Sequence, residues 1–156
     1  MRHSTSVLAI TISIAFAAGM LLSPLAEHAV SDAHAQTSAM TPMMIDLASI
    51  KHGDLPTTSN PEMNTRMLVN TDNATIQIQS GNVAKHIHPK TDEIQYIIEG
   101  SGAMWLGEER KEFKAGSLII IPKGTAHGGT IVASGPVKAI AIKIPPEPKD
   151  DTTFLD

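Results

Sequence analysis

The sequence predicts an all-β fold, a single domain built as an antiparallel sandwich or barrel. Beyond residue 64 the chain breaks into short strand-like runs separated by turn residues. Several of these runs alternate apolar and polar residues with the period of two that a half-buried strand requires, most clearly Ala74 to Gln79 and Val137 to Ile144. There is no internal repeat, and 156 residues with 42% hydrophobic and 18% charged content suffice for one domain with one core.

Residues 1–35 stand apart from that core. Arg2 and His3 make a short positive start, Val7 to Leu22 is an apolar run interrupted only by Thr11, Ser13 and Gly19, and Ala33-His34-Ala35 is an A-x-A cleavage site. This predicts a Sec-type signal peptide removed after Ala35, hence a periplasmic or secreted protein with no membrane segment after removal. No Cys lies near the cleavage point, which excludes a bacterial lipoprotein, and zero Cys overall excludes disulfides, thiolate ligands and Cys nucleophiles. Cleavage takes Arg2, Glu27 and Asp32 from the 12 basic and 16 acidic residues, leaving 11 against 14. That balance, with aromatics at 3%, argues against nucleic acid as a partner.

Residues 36–42 read as a flexible lead. Met44 to Ile50 reads as a first edge strand, and Lys51 to Asn64, with Gly53, Pro56, Asn60 and Pro61 as breakers, as a loop. That loop is either a plain surface connection or a cover across a barrel mouth. Strands follow at Arg66 to Asn70, Ala74 to Gln79, Val83 to His88, Glu93 to Glu99, Ala103 to Leu106 and Lys111 to Phe113, with Gly107 to Arg110 as a turn. Leu118 to Ile121 is wholly apolar, as in a strand buried on both sides, and the last strands are Thr130 to Ala133 and Val137 to Ile144. Lys143 is expected to face water, which turns Ile140, Ile142 and Ile144 inward, and Trp105 is expected in the core. Residues 145–156, rich in Pro and acid, read as a mobile tail.

After removal of residues 1–35 only four histidines remain, His52, His86, His88 and His127, and the last three fall in two short blocks. His86 and His88, one residue apart, leave the same face of an extended strand. Glu93 follows after the Pro89 to Asp92 turn, and His127 arrives just past the Pro122-Lys123-Gly124 turn. Three nitrogens and one carboxylate oxygen suit one divalent transition metal, Fe, Mn, Ni, Cu or Zn, with positions left open. His52 reads as an ordinary exposed or satisfied side chain.

These blocks resemble the two cupin motifs, G-x5-H-x-H-x(3,4)-E-x6-G and G-x5-P-x-G-x2-H-x3-N. His86, His88, Glu93 and Gly100 match the first, and Gly116, Pro122, Gly124 and His127 the second, with a short spacer from Ser101 to Ala115. Gly81 stands one residue too close to His86, and Ile131 replaces the final Asn. The resemblance implies an antiparallel double-stranded β-helix, the jelly-roll barrel, over residues 43–144, a metal at His86, His88, Glu93 and His127, and a homodimer formed through sheet edges and N-terminal strands.

Many cupins with this donor set are oxygenases, so the expected function is a metal-dependent, dioxygenase-like enzyme acting on a small chelating molecule. The alternatives are a non-redox lyase or isomerase using the metal as a Lewis acid, or a binding protein without turnover. On the strand after Glu93, Gln95 shares the Glu93 face and is a candidate to support the metal or the ligand; within the sheet it is equally a satisfied polar side chain. Tyr96 points the other way on this register and is a weaker catalytic candidate. Small cupin lyases acting on dimethylsulfoniopropionate show a similar HxHPK-type turn but rely on a tyrosine base near the metal, a role for which Tyr96 is misaligned.

Overall fold

The structure, a computed structural model, describes residues 40–156, which form one compact unit. The expected signal peptide lies outside the described residues. The fold is all-β: β1 Met63–Asn70, β2 Thr75–Gly81, β3 His86–Ile87, β4 Asp92–Leu106, β5 Glu109–Lys114, β6 Leu118–Ile121, β7 His127–Ile144 and β8 Thr153–Phe154, with one 3-10 turn at His52–Asp54.

Two strands are much longer than the sequence pattern predicts. β4 joins the runs expected at Glu93 to Glu99 and Ala103 to Leu106, and β7 joins the last two runs. They pair antiparallel from Asp92 opposite Ile144 to Leu106 opposite His127, with register shifts between Ile97 and Trp105. Such irregularities bend a strand. Gly100 sits at the bend with φ 86°, where a Cβ would lie 2.9 Å from the Ser134 carbonyl oxygen, so a side chain fits neither the backbone nor the space. Each long strand therefore serves two antiparallel sheets. One runs β1-β2-β7-β4-β6 and uses the C-terminal part of β7. The other runs β5-β4-β7-β3-β8 and uses its N-terminal part.

Two apolar clusters hold this arrangement. Ile97, Met104, Phe113, Ile119, Ile121 and Ala139 fill one end of the barrel interior. Ile50, Leu55 and Ile78 form the second cluster, with Leu47, Leu68, Ile98 and Ile140 packed around them. The second cluster lies on the opposite face of β2 and β7 from the interior, because Ile78 and Ile140 are out of phase with Gln79 and Ala139 on the period of two.

This phase corrects several sequence expectations. Lys143 does not face water; it is buried, and Ala139 and Ala141 share its interior face, while Ile144 is exposed. β6 is not buried on both sides, since Leu118 and Ile120 are exposed and only Ile119 and Ile121 point in. Trp105 is not core: it is half-buried between Lys85 Nζ, 4.3 Å from the ring centroid, and the Arg110 guanidinium at 4.7 Å, a doubled cation–π contact.

Both ends of the domain also differ. Met44 to Ile50 is not a strand; its chain turns at Leu47 to Ser49 and leads Ile50 and Leu55 onto Ile78. The N-terminal sheet edge expected to support dimerisation is therefore not formed by that segment. Residues 145–156 are not a loose tail: Asp151 is fully buried, β8 pairs with β3, and Leu155 N donates to the Lys85 carbonyl at 2.9 Å.

Ile78 is completely buried. Ile78→Ala is expected to cost about 2–5 kcal/mol, read as a lowered urea midpoint, because it opens a cavity under Leu55 and Ile50. An unchanged midpoint would return the Ile76 and Ile78 face to solvent.

Candidate metal centre

The strand register assembles the site. His86 pairs with His127 across β3 and β7, which sets the first ligand block beside the second. Glu93 on β4 stands opposite Lys143 on β7, and Gln95 opposite Ala141. All four predicted ligands are buried, and the ring centroids of His86 and His127 are 4.2 Å apart, with His88 at 4.9 Å from His86 and 5.2 Å from His127.

Two of the imidazoles are aimed by their own backbone. His86 Nδ1 donates to the Ala84 carbonyl at 2.8 Å and His127 Nδ1 to the Thr125 carbonyl at 3.0 Å, the tautomer that leaves each Nε2 unprotonated and free. Ligating atoms of His86, His88 and His127 lie within 4.8 Å of one another, close enough to share one ion. His127 Nε2 is buried with no hydrogen-bond partner. A buried nitrogen lone pair left without a donor is costly unless something else satisfies it. The donor chemistry and this orphaned nitrogen both fit a metal ion.

Glu93 stands in the same cluster. Its Oε2 is 3.2 Å from His88 Nε2 and 3.4 Å from His127 Nε2, the latter without hydrogen-bond alignment, and its Oε1 accepts from Gln95 Nε2 at 2.8 Å. Gln95 thus holds a ligand candidate in place, as its position on the Glu93 face suggests. Tyr96 lies on the opposite face of β4 and is 48% exposed, away from this cluster. His52 is remote from it and bonds Ser80 Oγ at 3.0 Å.

Sequence reasoning missed three residues beside the site. Lys143 Nζ is 3.4 Å from His88 Nε2 and forms an ion pair with Glu147. Glu147 Oε1 is 3.1 Å from His88 Nδ1 and accepts from the Thr152 hydroxyl, which is itself 3.3 Å from His88 Nδ1. The alternation of β7 alone puts Lys143 on the Ala139 and Ala141 face, and this pattern was visible in the sequence. Glu147 and Thr152 carried no such sign.

Electrostatics separates the histidines. Burial, aided by the nearby His127, pushes His86 down to about 4, so it is neutral at neutral pH and ready to donate a lone pair. Burial would also lower His88, but hydrogen bonds with Glu147 and Glu93 outweigh it and raise His88 to about 9. Burial would raise the carboxyl of Glu93, yet the His88 imidazole, the Lys143 ammonium and the Gln95 amide hold it well below the usual range. Glu147 is likewise held down to about 2, against burial, by His88, Lys143 and Thr152.

His86, His88 and Glu93 open into a cavity of about 330 Å³. Thr58, Ser59 and Asn60 line it, so that part of the Lys51 to Asn64 segment stands at the barrel mouth while Leu55 packs into the core. Most of the remaining lining residues are polar in type, Gln77, Gln79 and Gln95 among them, with Met63, Val83 and Phe154 adding apolar wall. The isoleucines expected to surround the site, Ile76, Ile78, Ile140 and Ile142, do not line this cavity; Ile97 lines the apolar space beyond Gln95.

Residues 74–143 match the cupin domain family. An uncharacterized protein of Methanocaldococcus jannaschii is 38% identical over 71 residues, 46% of this chain. The matched segment spans only 57% of that relative's length. Among solved structures, a uridine-bound variant of a Streptomyces nucleoside dehydratase superposes with a TM-score of 0.56 at 16% identity, covering 74% of this chain and 92% of that one. KdgF from Halomonas sp. gives 0.51 at 18%, over 56% and 84%. A Klebsiella pneumoniae protein with a double-stranded β-helix domain gives 0.52 at 21%, over 64% and 89%. At these identities the likeness is one of fold.

The placement of Lys143 is checked by Lys143→Met in chelator-treated protein at neutral pH. Removing the ammonium strips Glu147 and Glu93 of their buried counter-charge, with an expected loss of about 1.5–3 kcal/mol in urea unfolding. A change near zero would mean that Lys143 is solvated as its charge alone suggests.

Proposed function

Because the chain belongs to the cupin superfamily, we propose that it is a metal-dependent enzyme of the cell envelope acting on a small polar molecule with chelating oxygens. The observation that carries this reading is the buried group His86, His88 and His127, with its unpartnered His127 Nε2. Glu93 completes the donor set, and the divalent first-row ion it suits is Fe, Mn, Ni, Cu or Zn. Such an ion, when bound, supplies Lewis acidity toward an oxygen of the substrate or a water. The A-x-A site after an apolar run supports export of the chain. A cavity of about 330 Å³ fits a small molecule rather than a polymer.

The protein's own residues have distinct tasks. Gln95 fixes the Glu93 carboxylate through its amide hydrogen bond. Gln77, Gln79 and Thr58 offer hydrogen bonds to a polar substrate along the cavity wall. The buried Lys143 and the half-buried Glu147 form a proton donor and acceptor pair beside His88. That pair favours non-redox chemistry, an elimination or isomerisation in which a proton is moved. Oxygen-dependent oxidation is the second reading, favoured by a donor set that accepts redox-active iron, manganese, nickel or copper.

His86→Ala and His127→Ala are each expected to reduce bound metal from near one per chain to a small fraction in elemental analysis. Full retention in His86→Ala would remove the site assignment. Gln95→Ala should keep the metal but change turnover or ligand binding. Metal-loaded protein offered small hydroxy and oxo acids is expected to turn over without oxygen. Stoichiometric oxygen uptake would select the second reading, and no turnover with either would leave a metal-binding protein and end the enzymatic one.

A further inference from the structure

His86 and His127 are oriented by carbonyls two residues back on their own chain, but His88 has no such local partner. Its Nδ1 faces the C-terminal segment instead: Glu147 Oε1 at 3.1 Å, Thr152 Oγ1 at 3.3 Å and the Asp151 carbonyl at 3.4 Å. We propose that the segment from Glu147 to Leu155 is a working part of the metal centre, with Glu147 the positioning residue for His88, so that segment and metal hold each other in place. This rests on the reading of the histidine cluster as a metal site.

The segment is clamped on both sides of the histidine pair. Downstream of His88, Asp151 Oδ1 accepts from Lys90 N at 2.9 Å. Upstream of His86, Leu155 N donates to the Lys85 carbonyl at 2.9 Å, and between these two anchors β8 pairs with His86 and Ile87. Lys143 grips the second oxygen of Glu147, which keeps its first oxygen aimed at His88 Nδ1. A carboxylate on the far nitrogen of a ligating imidazole fixes the ring and makes its other nitrogen a better donor. Because the coupling is reciprocal, an ion that favours the oriented ring also favours the docked segment.

The test uses the full mature chain with cobalt(II) as probe, free and loaded. Loading the wild type should slow hydrogen exchange at the Lys90 and Leu155 amides, which needs no substitution and so no concern about folding. Glu147→Gln, near in volume, should weaken cobalt binding about 10–100-fold in chelator competition. It should also shift the visible cobalt bands and abolish the metal-dependent protection at Leu155. Wild-type affinity and spectrum in Glu147→Gln, with exchange at Leu155 indifferent to cobalt, would overturn the inference and leave the metal site standing. Failure of the wild type itself to bind cobalt more tightly than His86→Ala would instead bring down the reading beneath it.

Discussion

The antiparallel register of β7 is the constraint on which the rest of the structure depends. Through this one strand His127 meets His86 on β3, Lys143 meets Glu93 on β4, and Lys143 also meets Thr75 on β2. A slip of one residue would exchange every interior side chain of β7 for an exterior one. Lys143, Ala141 and Ala139 would leave the barrel, and the isoleucines that bind the N-terminal segment to its outer wall would enter it. The chain prevents this from both sides. Ile78 and Ile140 are committed to Ile50 and Leu55, and Ile97, Phe113 and Ile121 with Ala139 are committed to the interior.

That division explains how a polar site survives inside a small barrel. The apolar packing is concentrated at one end of the interior and on an outer face, leaving the other end free for imidazole, carboxylate, amide and ammonium groups. Charges at that end are compensated by each other: Glu93 by His88 and Lys143, Glu147 by Lys143 and His88. Burying an isolated charge is prohibitive, whereas a connected set with hydrogen bonds is tolerated. Within this balanced set the His127 Nε2 lone pair is left with nothing to accept from.

Much of this was legible in the sequence. The fold class followed from short alternating runs, and the four ligand candidates from a spacing that places two imidazoles on one strand face and returns a third after a Pro-Lys-Gly turn. Gln95 was legible for the same reason as Glu93, being one period further along the strand. What failed was the assumption that a lysine takes the wet face: in β7 the isoleucines outweighed the alanines in the reading, although the alanine face is the one that fits against Gln77 and Gln95. The tail failed differently. Its Pro-rich, acidic composition matches a disordered segment, and only the tertiary docking of Asp151, Glu147 and Thr152 onto His88 and Lys90, far back in the chain, gives it order. No local pattern records such a partner.

The most direct test of the account is an anomalous difference map from crystals of the protein grown with a divalent first-row metal, collected on both sides of that metal's absorption edge. The account predicts one strong peak between His86, His88 and His127, within bonding distance of each Nε2 and of a Glu93 oxygen. Metal found only elsewhere, with the three imidazoles still facing an empty centre, would contradict it.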